Sequence, residues 1–237
     1  MLILGLDFET TGLDPERDRI IEIGAILWDV DRKTPILVKD VLIKAQVPVE
    51  IQDMTGILQK DVDACGVSPE RGFEELKELM LLCDYVVAHN GNEFDKFFYD
   101  AELKRLGLSE ASKAWAKPWI DTRLDIPFPR EIGARNAEYL EEKHGLVNPF
   151  PHRAVFDALL MLQLLSLYDI QDVITHAKSP TLLIKANVSY DDRLKAKERG
   201  YRWDAPSKSW VKNLKESQLE SERTNVEFEV ICLKKVS

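Results

Sequence analysis

The sequence predicts a mixed α/β fold in which an antiparallel meander of three strands is followed by helices that alternate with short strands. Two observations support this prediction. Near the N-terminus, three apolar runs are separated only by short polar turns, which is typical of a meander. From residue 68 onward, longer amphipathic segments alternate with apolar runs of a few residues, which indicates helices packed on a sheet.

The first strand follows from the apolar run at residues 2–6, which is short and carries few helix signals. Asp7 and Glu9 follow it, two residues apart. Because side chains alternate along a strand, both carboxylates point to the same face. Neighbouring buried carboxylates need a cation, a basic partner or a raised pKa, and magnesium or manganese suits oxygen ligands. Taken alone, the pair also fits an ordinary acidic turn.

The other elements of this part of the chain follow from periodicity and from caps such as Ser68, Gly107 and Gly145. Strands are predicted over residues 19–30, 36–43, 85–88 and 119–120, and helices over residues 68–83, 93–106, 136–144 and 152–168. Residues 48–63 are expected to form a loop with one helical turn, and residues 169–180 a linker. The first domain is predicted to span residues 1–175.

From Thr181 the pattern changes to that of a small α+β domain over residues 181–237. Asp191 is a good N-cap for a helix that Gly200 closes. Strands are predicted over residues 182–184, 201–204, 209–212 and 226–233, and a helix over residues 192–199.

Composition limits the class of protein. No apolar stretch approaches the roughly 20 residues of a membrane helix, and the N-terminus lacks the features expected of a signal peptide. The three cysteines are scattered and show no metal-binding spacing. We therefore expect reduced thiols in a cytoplasmic protein without a membrane partner.

The net charge of −9 is unevenly distributed along the chain. Residues 180–237 contain 12 Lys and Arg against 9 Asp and Glu (+3), which leaves 20 against 32 (−12) for residues 1–179. Bulk electrostatics alone would not hold a polyanion on the acidic part. If that part handles a polyanion, we expect metals at a local site to hold it, with help from the basic tail.

Asp95, His152 and Asp157 are candidates to join Asp7 and Glu9, because helix starts and strand ends of a mixed sheet expose polar groups at one edge. Asp157 has apolar neighbours on a helix that should pack on the sheet, where an unpartnered acid is costly. Asp95 alone also fits a first-turn acid that the helix dipole favours, and His152 alone fits an exposed loop.

Three stretches carry a resemblance to a known family: Asp-Phe-Glu-Thr-Thr-Gly-Leu, Ala-His-Asn-Gly-Asn-Glu-Phe-Asp and His-Arg-Ala-Val-Phe-Asp-Ala. They resemble the motifs of DnaQ-like 3′–5′ exonucleases with a histidine in the third motif, which share a ribonuclease H-like fold. The resemblance covers roughly residues 1–168. The second motif has three residues between Asn90 and Phe94 where many members have two, a form similar to the three-prime repair exonuclease branch.

The resemblance implies hydrolysis with two divalent ions, Mg²⁺ or Mn²⁺, roughly 3.5–4 Å apart and held by Asp7, Glu9, Asp95 and Asp157. One ion would help to deprotonate the attacking water, and the other would stabilise the leaving 3′ oxygen. His152 would be the general base, a task for which histidine is suited near neutral pH. The product would be a 5′-mononucleotide.

The resemblance also implies three contacts with the terminal nucleotide. Thr10 would meet the 3′-hydroxyl, Leu13 would wedge under the last base, and Asn90 would support the sugar–phosphate or the metal shell. Each residue also fits ordinary turn chemistry.

Basic and aromatic residues alternate between residues 193 and 212, a pattern that suits single-stranded nucleic acid. The two tryptophans there fit the core of a small domain equally well. The pattern also faintly resembles the HARP-type modules of annealing helicases. The predicted accessory contacts are Arg193, Lys195, Lys197, Arg202, Trp203, Lys208, Trp210 and Lys212.

The sequence therefore predicts a two-metal 3′–5′ exonuclease that acts on DNA 3′ ends, with single strands favoured and an accessory nucleic-acid-binding domain. Oligomerisation is not indicated. Three alternatives remain: an exoribonuclease with the same chemistry, a non-catalytic binding or proofreading partner, and a metal phosphatase. The presence of all five candidate residues argues against an inactive module, and the chain lacks the His-rich motifs expected of a phosphatase.

Overall fold

A computed structural model describes residues 1–108, 114–129, 131–132 and 134–236. In these ranges the strands form two separate sheets. The first sheet contains β1 (Leu2–Thr10), β2 (Ile20–Asp29), β3 (Thr34–Leu42), β4 (Tyr85–Ala88) and β5 (Trp119–Asp121). Its order is β3-β2-β1-β4-β5, with antiparallel pairing from β3 to β1 and parallel pairing from β1 to β5. The predicted meander and mixed sheet are confirmed.

Helices cover both faces of the first sheet. They are α1 (Val49–Thr55), α2 (Gln59–Cys65), α3 (Pro69–Met80), α4 (Asp95–Arg105), α5 (Thr122–Asp125), α6 (Ala137–His144), α7 (Ala154–Leu165) and α8 (Ile170–Lys178). Leu4, Leu6 and Phe8 of β1 belong to the core shared with α3 and α4. Ile3 belongs to the core on the other face, shared with α6, α7 and α8. The fold is therefore three layers deep, with β1 in the middle of the central layer.

The second sheet forms the predicted small α+β unit. Its elements are β6 (Thr181–Asn187), α9 (Arg193–Glu198), β7 (Arg202–Asp204), β8 (Ser209–Lys215), a 3₁₀ turn (Glu216–Gln218), α10 (Leu219–Thr224) and β9 (Glu229–Lys235). The order is β7-β8-β6-β9, and neighbouring strands pair antiparallel. Its own small core is centred on Leu182, Ile184 and Tyr201.

Two predictions about the connecting segments are wrong. Residues 48–63 form α1 and α2, and neither helix has a side-chain N-cap that the sequence could reveal. The predicted linker at residues 169–180 contains α8, whose N-cap Asp169 accepts hydrogen bonds from the N–H groups of Gln171 and Asp172. Val173 and Ile174 of α8 are buried in the core of the first sheet. A short polar segment becomes a helix because this core covers its apolar side.

Within the described ranges, no single helix has the length and apolar character to cross a membrane. The bent pair of α7 and α8 satisfies both criteria only when the two helices are taken together. Cys65, Cys83 and Cys232 are free thiols.

A buried ion pair connects the two sheets. Lys215, at the end of β8, places its Nζ 2.9 Å from Oδ1 of Asp125 in α5, and both side chains are buried. The same Nζ donates to the backbone carbonyls of Ala177 and Ser179. Removing either charge alone would leave the other charge buried without its partner, which is the costly case.

We predict that Lys215→Met lowers the free energy of unfolding by about 3–5 kcal/mol, because Asp125 loses its counter-charge. The double variant Lys215→Met/Asp125→Asn should recover much of this loss. Chemical denaturation of the full chain measures both, with Lys234→Met as the control for removing an exposed lysine. Equal stability of the single variant and the wild type would contradict the structural role of the pair.

Candidate active site

Alternation along β1 directs Asp7 and Glu9 toward α7. Leu4, Leu6 and Phe8 point to the opposite face, into the core with α3 and α4. Glu9 lies in the β1–β2 ladder before the register shift between it and the next residue. The two carboxylates therefore lie on the same face at the end of the central strand, as the sequence predicts.

Two glycines allow α7 to lie very close to this face. A Cβ on Gly24 of β2 would lie 2.1 Å from the backbone carbonyl carbon of Ala154, and a Cβ on Gly5 of β1 would lie 2.6 Å from Cδ1 of Leu162. Contacts this short are sterically forbidden. The absence of side chains at these two positions is what permits α7, which carries Asp157, to reach the carboxylates of β1.

Glu22 of β2 holds the start of α7 from inside the sheet. It lies opposite Glu9 in the ladder and is fully buried. Its Oε1 accepts from Nε and Nη2 of Arg153 at 2.9 and 2.6 Å, and its Oε2 accepts from the N–H of Ala154 at 2.8 Å. The sequence interpretation missed Glu22 because a glutamate in a strand is ordinarily assigned to an exposed face. Its complete burial is what requires a partner.

The structure brings together three of the four predicted metal ligands. Asp7, Glu9 and Asp157 each offer a carboxylate oxygen, and these oxygens lie within 4.8 Å of one another. Asp95 joins them from the start of α4, where its Oδ1 accepts a hydrogen bond from the N–H of Phe8 at 3.2 Å. The backbone of β1 thus holds Asp95 beside the strand that carries Asp7 and Glu9.

Burial raises the pKa values of the carboxyl groups in this cluster and so disfavours their ionised forms. Desolvation, and then the neighbouring carboxylates, raise the pKa of Asp7 well above its ordinary value and that of Glu9 to about 8. Desolvation also raises the pKa of Asp95 to about 7 and that of Asp157 to about 6. Four crowded oxygen-donor groups of this kind fit hard divalent cations, which would neutralise the charge that the cluster accumulates.

His152 lies in the loop before α7, with a positive φ of 60° and an exposed side chain. Its charge and its backbone N–H both favour the ionised form of Asp157 and so oppose the desolvation that raises the pKa of that carboxyl. Asn148 donates from Nδ2 to Oδ1 of Asp157 at 2.7 Å and is a further residue that the sequence interpretation missed. The structure therefore places His152 beside the cluster, with its ring accessible to solvent.

The three predicted substrate residues occupy different environments. Thr10 is buried at the end of β1, where its Oγ1 donates to the carbonyl of Gly12 at 2.6 Å. Leu13 is 84% exposed, which leaves it available to contact a base. Asn90 has a φ of 61° and accepts from Nη1 of Arg123 at 2.7 Å.

Asp121, at the end of β5, holds the loop that leads from Asn90 to Asp95. Its carboxylate accepts from the N–H groups of Asn90 and Asn92 at 3.0 and 3.2 Å. Burial raises the pKa of Asp121 to about 6 against these hydrogen bonds. Its own N–H donates to Oδ2 of Asp125 at 2.8 Å. Since Asp125 is the partner of Lys215, a continuous set of interactions connects the second sheet to this loop.

The predicted accessory residues occupy different environments. Lys195 is paired with Asp192 and Glu227. Lys212 is turned inward, 19% exposed, and pairs with Glu222 at 3.2 Å. The other members divide between aromatic contacts and exposed positions. Arg193 stacks on Tyr190, Trp203 and Trp210 pack edge to face, and Lys197, Arg202 and Lys208 are exposed.

A family model described as Exonuclease matches residues 4–165, more than half of the chain. The chain belongs to the DnaQ-like exonuclease family. The chain is 30% identical over 192 residues to the DNA polymerase III subunit epsilon of Treponema pallidum, with 74% of this chain and 83% of that protein covered. The family predicted from the three motifs is thereby confirmed.

Other relatives of the chain are much longer proteins. It is 35% identical over 166 residues to the PolC-type DNA polymerase III of Thermotoga maritima. This alignment covers 67% of this chain and 11% of the polymerase. It is 32% identical over 168 residues to the 3′–5′ exonuclease DinG of Bacillus subtilis, and this alignment covers 68% of this chain and 17% of that protein. The chain thus spans less than a fifth of the length of these two relatives.

Solved structures confirm the predicted ribonuclease H-like exonuclease fold. E. coli exonuclease I, solved with a dA16 oligonucleotide, superposes with a TM-score of 0.61 at 16% identity, covering 78% of this protein and 48% of that chain. The nuclease domain of 3′hExo, a DEDDh family member, gives 0.59 at 20% identity, with coverages of 72% and 92%. A model described as a domain of unknown function matches residues 182–233, so the likeness to HARP-type modules stays a prediction.

We predict that Gly24→Ala weakens Mn²⁺ binding by about 10–100-fold, because the new methyl group meets the backbone of α7 and displaces Asp157. Gly56→Ala, at the end of α1, is the control for replacing a glycine in another part of the fold, since no atom lies within 4 Å of the added methyl group. Isothermal titration calorimetry measures both affinities. Equal affinities for the two variants would contradict the role of close helix packing.

We also predict that the metal-free protein loses stability as the pH rises. The raised pKa of Glu9, about 8 in the folded state, means that the folded state holds its proton more tightly than the unfolded chain does. The associated stability is therefore present below the ordinary pKa of a glutamate and is lost as the pH rises through about 8. In EDTA, the melting temperature should fall between pH ~5 and ~9.

Glu9→Gln should reduce this fall and melt higher than the wild type at the alkaline end, by about 2–4 °C for each kcal/mol regained. Glu50→Gln, an exposed position on α1, controls for the chemical change. A wild-type melting temperature that stays constant over this pH range would show that the carboxylates are not crowded as described.

Proposed function

We propose that the chain removes nucleotides one at a time from the 3′ end of DNA by metal-dependent hydrolysis. The observation that carries the proposal is the convergence of the Asp7, Glu9 and Asp157 oxygens within 4.8 Å, on buried elements that hold them there. Asp95 and His152 flank this cluster, and no position of the five-residue set is substituted.

We assign the metal site to Asp7, Glu9, Asp95 and Asp157, which would hold two divalent ions, Mg²⁺ or Mn²⁺. When bound, such ions neutralise charge on the scissile phosphate and lower the pKa of water. The raised pKa values of the four carboxyls support this assignment, because cations would favour the ionised forms that burial disfavours.

His152 would take the proton from the attacking water, whose oxygen forms a bond to phosphorus while the bond from phosphorus to the 3′ oxygen breaks. The products are a 5′-mononucleotide and a strand shorter by one residue that ends in a new 3′-hydroxyl. The exposed ring of His152 beside Asp157 suits this task, because it can pass the proton to solvent.

The terminal nucleotide would lie between the ends of β1 and β4. Thr10 would face the 3′-hydroxyl, Leu13 would pack under the last base, and Asn90 would contact the sugar–phosphate. The exposure of Leu13 supports its role. Its apolar side chain is 84% exposed, and covering it with a base would lower the free energy of the complex. The proposal of DNA as substrate draws on the two polymerase relatives, whose names specify DNA.

We predict that the full chain shortens 5′-labelled single-stranded DNA from the 3′ end in Mg²⁺ or Mn²⁺ and not in EDTA. Asp157→Asn should abolish the ladder, and His152→Ala should lower kcat by about 10²–10⁴-fold. Asp172→Asn, an exposed aspartate on α8, is the matched control and should behave as wild type.

Duplex DNA and RNA of the same sequence complete this experiment. Faster shortening of RNA than of DNA would replace the proposed substrate by RNA. A ladder that persists in Asp157→Asn would overturn the metal assignment. Complete inactivity of the wild type on all three substrates would identify a non-catalytic binding protein.

A further inference from the structure

A cleft of about 720 Å³ lies between the first sheet and the second sheet. On one side it is lined by the loop after β4, by α5 and by the segment that leads to α6. On the other side it is lined by α9, by the strands β7 and β8, and by α10. Asn90, in the loop that leads to Asp95, also lines the cleft. The cleft is therefore continuous with the region where we place the 3′-terminal nucleotide.

The described lining of this cleft has the opposite sign of charge to the protein as a whole. Three glutamates contribute to it, Glu93, Glu198 and Glu222. The cations outnumber them two to one and are Arg123, Arg135, Lys197, Arg199, Arg202 and Lys212. The excess of three positive charges stands in a chain whose net charge is −9. Such a local excess attracts a polyanion that the rest of the surface repels.

Glu222 does not neutralise this excess. It is buried and pairs with Arg199 at 3.0 Å and with Lys212 at 3.2 Å, so two cations already share one carboxylate. Burial lowers the pKa of Arg135, and the nearby Arg123 and Arg199 lower it further, against the attraction of Glu222. Lys197 and Arg202 are exposed at the rim and take part in none of the ion pairs found among the described residues. Positive charge that lacks an internal partner is available to a ligand.

The arrangement of the cations suits backbone phosphates. Arginine presents a planar fork of donors that matches two phosphate oxygens. Nη1 of Arg123 already donates to Asn90, and Nη1 of Arg135 donates to the carbonyl of Arg123 at 2.9 Å. These two arginines thus continue outward from the loop of the candidate active site. The ring of Phe128 also lines the cleft, 5.4 Å from the guanidinium of Arg135, and packs against His144 and Tyr168.

We propose that the cleft is the binding groove for the single strand upstream of its 3′ end, with backbone phosphates held by Arg135, Lys197 and Arg202. The strand passes from the carboxylate cluster, past Asn90, and between the two sheets. The direction of the strand rests on the proposed exonuclease function, whereas the binding of a single strand in the cleft does not. The second sheet thereby acts as one wall of the groove, and not as a separate nucleic-acid-binding surface.

The test uses the full-length chain with Asp157→Asn as background, so that the probe stays intact. The probe is a 5′-fluorescein oligothymidylate of about 20 nucleotides, longer than the site size of a single binding module. The double variant Lys197→Glu/Arg202→Glu reverses two charges at the rim of the cleft. Lys208→Glu/Lys234→Glu makes the same change at exposed positions of the second sheet that do not line the cleft.

We expect the cleft variant to bind the probe at least about tenfold more weakly than the background in fluorescence anisotropy. Its plot of log Kd against log salt concentration should also be shallower, by about 0.7 for each phosphate that the protein no longer neutralises. The control pair should lose much less affinity. Equal reductions in affinity for the two pairs, or an unchanged affinity of the cleft variant, would overturn the proposal.

A melting temperature equal to that of the background establishes that each variant is folded. The outcomes separate the two proposals. If the cleft variant binds more weakly but the wild type has no nuclease activity, the binding groove is supported and the proposed function is rejected. If the wild type is a nuclease but binding does not depend on the cleft, the proposed function is supported and the groove is rejected.

Discussion

The crowding of carboxylates at the end of β1 is the constraint on which the rest of the structure depends. Asp7, Glu9 and Asp157 face one another within a few ångströms, and burial raises the pKa of each. Such an arrangement opposes folding, so the surrounding scaffold has to impose it. Glu22 ties down the start of α7, and Gly24 allows that helix to approach. A bound cation would relieve the same unfavourable electrostatics that the scaffold imposes.

The scaffold is continuous with the second sheet. Lys215 of β8 pairs with Asp125, Asp125 accepts from the N–H of Asp121, and Asp121 holds the loop that runs from Asn90 to Asp95. A small unit with its own core thus contributes a buried charge to the support of the candidate active site. The same unit supplies one wall of the basic cleft. The contact between the two sheets therefore both supports the candidate active site and forms the cleft that leads to it.

Acidic and basic residues are concentrated in different regions of the molecule. The first sheet carries the acidic excess, and its carboxylates are concentrated where cations are expected to bind. The cleft concentrates cations where a phosphate backbone is expected to pass. A polyanion would be drawn to the cleft and admitted to the acidic end only with metals present, and this division of charge would allow an acidic chain to carry out the proposed reaction on nucleic acid.

The sequence by itself determined the mixed fold, the enzyme family and the carboxylates of the site. Alternation along β1 was enough to place Asp7 and Glu9 on one face, and an acid among apolar residues was enough to single out Asp157. Only the tertiary structure revealed that Glu22 is buried, that the supposed linker is α8, and that Lys212 turns inward toward Glu222. The physical reason is that strand alternation and helix periodicity are local properties of the chain. Burial, ion pairing and the shape of a cleft depend on segments that are distant in sequence and meet only in the folded protein.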